Sequence, residues 1–378
     1  MNAPERIAFD ARYINDRYQG IGRYAFRLLE AMVMAAPEHT FMVFRGREKD
    51  SRFDWETLAS RPNVELWQGP WPLYWPHEQV RWPRLLRQSR ADLFHSPYFV
   101  APLLAPCPVV ITVHDLIFDR YPAYMPWAWS RPYYRLLMRL SNRRARRTIA
   151  VSQATGADLA HYYTTPPDKI VIIPEGVEQS FAATAEPRHL HKLRERYGLT
   201  QPFILNVGAR RPHKNLARLV RAFASLDSSI AHTLVFVGPA DSRFPDDARQ
   251  AAAEAGLNGR IRFLDWVPEN DLAALYAAAD LVVVPSLVEG FGLPALEAMA
   301  SGTPVLAANT SSLPEVIGDA GLLVDPSDEI ALAAAMCEIL NDLVLWQRLA
   351  AAGKARAARF TWREAAQQTL KVYQEVQR

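Results

Sequence analysis

The sequence predicts an α/β protein of two doubly wound domains that face each other across a cleft. Short apolar runs alternate with stretches of helical periodicity along almost the whole chain, the pattern of mostly parallel sheets covered on both faces. The series restarts at Phe203-Ile-Leu-Asn-Val207, after a polar stretch. At 378 residues the chain is also too long for one ordinary core.

Taken in order, residues 6–10 read as the first strand, a glycine loop follows at Gly20-Ile-Gly22, and Arg23 to Ala35 carries apolar residues at helical spacing. Further strands are expected at 40–44, 63–67, 92–95, 108–113, 147–151 and 169–173. Pro174-Glu-Gly-Val-Glu-Gln-Ser-Phe181, with the polar segment that runs to about residue 200, reads as the linker. The second series continues through strands near 233–238, 261–264, 280–284, 304–307 and 321–324. Thr361 stands three residues before Glu364 and an apolar helical pattern follows, as at a capped helix start. These boundaries give domains over 1–180 and 181–358, with ligands expected at the carboxyl ends of the strands.

Hydrophobic residues make up 49% and charged ones 22%, the balance of a globular chain. No apolar run reaches membrane-spanning length, and the opening Met-Asn-Ala-Pro-Glu lacks a signal peptide's basic and apolar regions, so a cytoplasmic protein is expected. Cys107 and Cys337 fall in different predicted domains, which argues against a disulfide framework or thiolate metal site. The nine histidines form no His-x-x-x-His or His-Glu-x-x-His pair, and Asp246-Asp247 is not a spaced Asp-x-Asp, so no required metal is expected. Net charge is only +3 but uneven: residues 1–180 carry 23 Lys and Arg against 18 Asp and Glu, the remainder 20 against 22. Most of the excess lies in residues 71–147, whose 12 arginines and four acids direct that face toward phosphate or an anionic surface. No recognised nucleic-acid module accompanies it, and nucleic acid is not an expected partner.

The segment richest in chemistry is Glu289-Gly-Phe-Gly-Leu-Pro-Ala-Leu-Glu297, continuing Ala-Met-Ala-Ser-Gly-Thr-Pro-Val305. It follows an apolar run, Asp280 to Pro285, that reads as a buried strand, and it opens a helix. Backbone N–H groups of Phe291, Gly292 and Leu293 at that helix start suit a diphosphate, and glycine permits its close approach. Glu297, inside the helix, is placed to accept hydrogen bonds from a ribose diol, and Glu289 on the loop to reach a sugar hydroxyl.

This pattern resembles the E-x7-E signature of retaining GT-B glycosyltransferases, in the large family 4 that includes bacterial polysaccharide mannosyltransferases. The resemblance extends over nearly the whole chain. It implies a GT-B fold of two Rossmann-like domains, a nucleotide-sugar donor as substrate with no cofactor, and a glycan or lipid-linked acceptor. It also implies that the final helix, over 359–378, crosses back to the first domain.

Gly20-Ile-Gly-Arg-Tyr24 lies where its backbone can pass close to a donor diphosphate, or is an ordinary turn. Ala25 breaks the Gly-x-Gly-x-x-Gly of a dinucleotide site, while the segment is similar to bacterial mannosyl- and rhamnosyltransferases. Val207-Gly-Ala-Arg-Arg-Pro-His-Lys-Asn-Leu216 leads from a strand end into a helix. Lys214 is placed there to neutralise a departing diphosphate, and Arg210 or Arg211 to make a bidentate phosphate contact. The family commonly has Gly-Arg-x-x-x-x-Lys or Glu-Pro-Arg-Lys-Asn at this point; this chain has Ala209 at the usual arginine position and His213 where Arg precedes Lys.

His114 ends the strand 108–113 and projects toward the predicted cleft, where a neutral imidazole suits the transferred sugar and its backbone carbonyl the anomeric centre. In the resembled family this histidine binds the donor sugar; Asp115 is expected to orient it or to cap the next segment. Asp10 and His95-Ser-Pro-Tyr98 end other strands, the latter a candidate for the acceptor side, and Ser152 reads as an N-cap. For Trp266-Val-Pro-Glu-Asn-Asp271 the resemblance implies backbone contacts to the nucleobase, with Val267 among them.

Arginines 131, 135, 139, 143 and 147 recur every four residues on and just beyond a helix expected over 128–146. Trp71-Pro-Leu-Tyr-Trp75, a helix with Arg81, Trp82, Arg84 and Arg87, and the cluster of Tyr121, Tyr124, Trp127 and Trp129 add aromatic rings. Such pairing suits either the headgroup region of an anionic membrane or an ordinary core with a solvated basic face.

The expectation is therefore metal-independent, retaining transfer of a hexose, best fitted by mannose from GDP-mannose, to a lipid-linked or polysaccharide acceptor in cell-surface glycan synthesis. His114, Glu289, Lys214 and Arg210 carry the chemistry in this reading; Gly20, Gly22, Arg211, Phe291, Gly292, Leu293, Glu297 and Val267 bind substrate. The alternatives are a sugar-nucleotide 2-epimerase and a non-catalytic partner that binds nucleotide sugar.

Overall fold

The structure, a computed structural model, describes residues 5–377 except 17–18, 49, 51, 71–72, 126–128, 184–185 and 258. The chain divides into two compact units, Met1–Gly176 with Thr361–Arg378, and Val177–Phe360. The first crossing falls at Gly176, within the segment read as the linker but before residue 180, and the return falls at Thr361.

The first unit holds a seven-stranded parallel sheet in the order β3-β2-β1-β4-β5-β6-β7. Its strands are β1 Arg6–Ala11, β2 Thr40–Arg45, β3 Val64–Gln68, β4 Leu93–Ser96, β5 Val109–Val113, β6 Arg147–Ala150 and β7 Ile170–Ile172. Central β5, Val-Val-Ile-Thr-Val, is buried at every position, as a β-branched run covered on both faces must be. Edge strand β3 instead leaves Leu66 and Gln68 exposed.

The first helix is longer than its periodicity predicts, spanning Gln19–Ala35. Gly20 and Gly22 therefore stand in its first turn and not on the loop expected before it. The first N–H groups of a helix have no partner within it, so glycines are tolerated there. At Gly22 a Cβ would lie 3.0 Å from the Tyr13 carbonyl oxygen, whereas Gly20 faces open space. Close packing accounts for Gly22.

The helix Gln19–Ala35 packs against the last helix, Trp362–Gln377, so the chain's end completes the first unit. Thr361 caps that helix by accepting the Glu364 N–H at 3.1 Å. From it, the Tyr373 hydroxyl meets His95 Nδ1 at 2.5 Å, His95 Nε2 meets the Thr112 hydroxyl at 2.9 Å, and Thr112 meets the Tyr24 hydroxyl at 3.1 Å. Burial holds the His95 imidazole down to about 3, so it is neutral at pH 7. His95, expected on the acceptor side, is instead a core residue in a satisfied relay.

Two further residues prove structural. Asp10 accepts from Arg12 at 2.7 Å, and Glu78 binds the same guanidinium at 2.9 Å, all three side chains being at most 3% exposed. Trp82, read with the surface aromatics, lies in the core between Phe44 and Phe94 with the Arg12 guanidinium over its ring.

The second unit holds a six-stranded parallel sheet in the order β10-β9-β8-β11-β12-β13. These strands are β8 Phe203–Val207, β9 Thr233–Val237, β10 Ile261–Leu264, β11 Leu281–Val284, β12 Val305–Ala308 and β13 Leu322–Val324. In each sheet the strand order reverses beside the first strand, at β1/β4 and at β8/β11, where such sheets open a crevice at their carboxyl ends. Cys107 in the first unit and Cys337 in the second are free thiols. Among the described residues no helix is long and apolar enough to cross a membrane.

Candidate active site

In the second unit the loops after β8 and β11 bring Lys214 and Glu289 together. Lys214 ends a short turn, Pro212–Lys214, after which Asn215 adopts a left-handed φ of 60°. The Asn215 amide fixes that turn by donating to the carbonyls of Pro285 at 3.1 Å and Pro326 at 2.7 Å. The Leu287 N–H donates to the His213 carbonyl at 2.8 Å, tying the two loops directly. Lys214 Nζ consequently sits 2.6 Å from Glu289 Oε1, which also accepts from the Ser286 hydroxyl at 2.6 Å. Burial alone would raise the Glu289 carboxyl, but the Lys214 charge and these hydrogen bonds hold it below the usual carboxylate range. The pair is 18% and 10% exposed, so it is not sealed from a ligand.

The loop beyond Glu289 is held by hydroxyls from the end of β12. Ser312 donates to the carbonyls of Glu289 at 3.0 Å and Phe291 at 2.7 Å, and Ser311 to Glu289 at 2.6 Å. Gly292, with φ 108°, forms the N-cap of the helix Leu293–Ser301 in a conformation that favours glycine. Phe291 turns its ring inward against Phe360. Glu297 is buried and accepts from the Tyr276 hydroxyl at 2.8 Å.

The two adjacent arginines differ sharply. Arg210 is buried: Nε reaches Asp246 at 3.0 Å, NH2 reaches Asp265 at 2.8 Å, NH1 donates to the Gly238 carbonyl, and the group lies over the Phe263 ring. Three of its N–H groups are thus committed to the fold, which weighs against the catalytic role expected of it. Arg211 pairs its Nε with Asp241 at 2.9 Å, is 40% exposed, and shares with Arg210, Arg218 and Arg221 the lining of a cleft of about 130 Å³. His213 is buried, and burial followed by the Lys214 charge lowers it to about 3. It therefore supplies no positive charge at pH 7. Val267 is half-buried on the loop after β10, beside Trp266, which is 70% exposed.

In the first unit His114 stands at the end of β5 with both ring nitrogens bonded within that unit. Nδ1 is 3.1 Å from Glu175 Oε1 and Nε2 is 3.0 Å from the Pro97 carbonyl. The His114 carbonyl accepts from the Thr155 hydroxyl at 3.0 Å. Both ring nitrogens are thus engaged within the unit, where one had been expected to turn to the sugar. Asp115 caps the next segment through the Ile117 N–H, and Ser152 caps the helix Gln153–Tyr163. Among the described residues no group of three or more His, Cys, Asp or Glu gathers that could hold a metal ion.

The basic aromatic stretch is partly surface. Trp75, Val80, Trp129 and Leu136 are exposed, as are Arg81, Arg84, Arg87, Arg131 and Arg139. The helix expected over 128–146 spans Ser130–Arg144, and the Tyr133 hydroxyl donates to the Tyr74 carbonyl, which joins the two aromatic segments. Arg144 instead anchors the carbonyls of Leu103, Ala105 and Cys107. Trp71 and Trp127 lie outside the described residues.

Sequence reasoning missed Ser286, Ser311, Ser312 and Glu175. The hydroxyl run Thr310-Ser-Ser312 directly after a strand on the ligand-binding edge was the available signal. Glu175 had none, since it lay in a segment read as linker.

Two parallel-sheet units, one carrying this lysine–glutamate pair at its switch point, define a GT-B glycosyltransferase. Residues 18–181 match the family described as Glycosyltransferase Family 4, and residues 191–356 that described as Glycosyl transferases group 1. O-antigen chain mannosyltransferase B of Escherichia coli is 31% identical over 97% of this chain and 99% of its own length. The MMP alpha-(1->4)-mannosyltransferase of Mycolicibacterium hassiacum is 32% identical over 71% of this chain and 65% of that protein. Among solved structures, Anabaena HepE in complex with UDP and glucose has a TM-score of 0.77 at 22% identity, covering 98% of this chain and 100% of that one. The chain belongs to glycosyltransferase family 4. The curated relatives named here are transferases, which does not support the epimerase alternative.

Proposed function

We propose that the protein transfers mannose from GDP-mannose, with retention of anomeric configuration, to a glycan or lipid-linked acceptor in cell-surface polysaccharide synthesis. The Lys214–Glu289–Ser286 cluster beside the Gly292 helix start carries the proposal. A lysine there offsets the charge that develops on a departing diphosphate, and orphaned N–H groups at the helix start receive its oxygens. Arg211, and not Arg210, supplies the guanidinium contact. Glu289 orients the sugar, Glu297 takes the ribose, and the backbone at Val267 meets the base. The acceptor hydroxyl attacks the anomeric carbon as its bond to the diphosphate breaks, and the departing phosphate takes the acceptor proton.

The mannosyl donor rests on the similarity to the O-antigen chain mannosyltransferase, which matches this chain end to end. No metal is needed in this scheme, so turnover should survive a chelator. The exposed Trp75, Trp129 and Leu136 among arginines suit contact with an anionic membrane from the cytoplasmic side, where a lipid-linked acceptor is presented. Thermal-shift titration with GDP, UDP, GDP-mannose and UDP-glucose tests the donor, because a ligand of the folded state raises apparent stability with its concentration. Stabilisation by the guanine compounds alone is expected; a response confined to the uridine compounds would replace the donor.

A further inference from the structure

We propose that Glu175 is a positioning residue that keeps the His114 ring in its doubly protonated, imidazolium form. The argument is a proton count. Nε2 lies 3.0 Å from the Pro97 carbonyl oxygen, which can only accept, so Nε2 carries a hydrogen. A neutral ring protonated there would turn the Nδ1 lone pair toward Glu175 Oε1 at 3.1 Å, placing two acceptors face to face. A proton must lie between them. Imidazole is the stronger base of the two by about two pH units in water, which assigns that proton to the ring.

Among the described residues Glu175 is the carboxylate seen in hydrogen-bond contact with the ring. Tyr24, from the helix Gln19–Ala35, stands edge-on to the His114 ring at 4.6 Å, and burial raises its phenol so that it stays neutral. His95, from β4, is neutral for the reason given above. Asp115, next in the chain, turns Oδ1 to the Ile117 N–H. The helix Gln153–Tyr163 contributes the uncharged Thr155 hydroxyl to the His114 carbonyl, and Trp362 packs on Tyr24.

Glu175 is itself fixed from behind. A Cβ on the neighbouring Gly176 would lie 2.3 Å from the Trp362 nitrogen, so only glycine lets this segment press onto the start of the last helix. The Glu175 side chain is buried at 5% exposure, 61 residues from His114 in sequence. The consequence for turnover rests on the reading of His114 as a donor-site residue: the ring then acts through positive charge near an anionic leaving group, and not through a lone pair. The protonation itself does not rest on that reading.

The test is a long-range nitrogen–proton correlation spectrum of histidine-labelled protein at pH 7, with the His114 signals assigned from a His114→Gln sample. Both His114 ring nitrogens should show the shifts of a protonated ring in the unaltered protein. In Glu175→Gln the carboxamide N–H can donate to Nδ1, so the ring should keep its place and become neutral with its hydrogen on Nε2. Turnover should then fall about tenfold or more at unchanged donor KM. A neutral ring in the unaltered protein, or a ring still doubly protonated in Glu175→Gln, overturns the proposal. The expected spectra without any sugar transfer by the unaltered protein would uphold the protonation and count against the functional reading instead.

Discussion

The carboxyl ends of β1 and β8 occupy equivalent places in their sheets, and each carries an ionic cluster, yet the two clusters use their charges differently. At β1, Arg12 is saturated by Asp10 and Glu78, with every side chain at most 3% exposed. At β8, Lys214 and Glu289 are as close, at 2.6 Å, but retain 18% and 10% exposure. An ion pair at a strand end thus marks a site only where it keeps a path to ligand. Where water is excluded the same chemistry becomes a strut.

The sharpest way to break this comparison is to remove each cation. Arg12→Met leaves two buried carboxylates unpaired and should cost about 3–5 kcal/mol in urea unfolding. Turnover of the molecules that remain folded should change little. Lys214→Met should lower turnover by about 100-fold or more while costing under about 2 kcal/mol, since Glu289 keeps Ser286. If both variants unfold alike, the distinction between strut and site fails.

The neighbouring arginines sharpen it further. Arg210→Met, which removes a buried guanidinium from Asp246 and the Gly238 carbonyl, should cost about 2 kcal/mol of stability. Arg211→Met should leave unfolding unchanged and weaken donor diphosphate binding about tenfold, measured by calorimetry. The reverse pattern would return the phosphate contact to Arg210.

A smaller, graded effect comes from acid. His95 and His213, one in each unit, are both held near 3 by burial. An unfolded histidine binds its proton near 6.5, so both contribute stability that is full above that pH and is lost as pH falls toward 3. Each should subtract up to about 1.4 kcal/mol per pH unit below about 6, and replacing either by Gln should reduce the slope of stability against pH.

Much of the fold was legible because a parallel strand buried on both faces is a continuous apolar run. β8 begins and ends where that pattern does. The Glu289–Glu297 segment was legible for a related reason, since its glycines, helix start and carboxylates are contiguous. What the chain concealed is contact at long separation. Arg210 and Arg211 are indistinguishable in sequence; Asp246 and Asp265, 36 and 55 residues on, make one of them structural. His95 and His114 both end strands, and only the distant Tyr373 reveals the first as core. The glycines at 20 and 22 look like loop residues, yet a helix accepts them in its first turn.

The last helix also bears on the order in which the protein is made. Trp362–Gln377 supplies Tyr373 to His95 and Trp362 to Tyr24 and Gly176, yet the whole of the second unit is encoded before it. Domains generally fold as units during synthesis, so the ribosome releases a finished second unit while the first still lacks one of its helices. Throughout that interval the nascent first unit exposes the face of Gln19–Ala35 that the last helix covers. Any fragment ending at Gly176 carries the same defect, and its natural remedy is the missing helix supplied as a separate peptide.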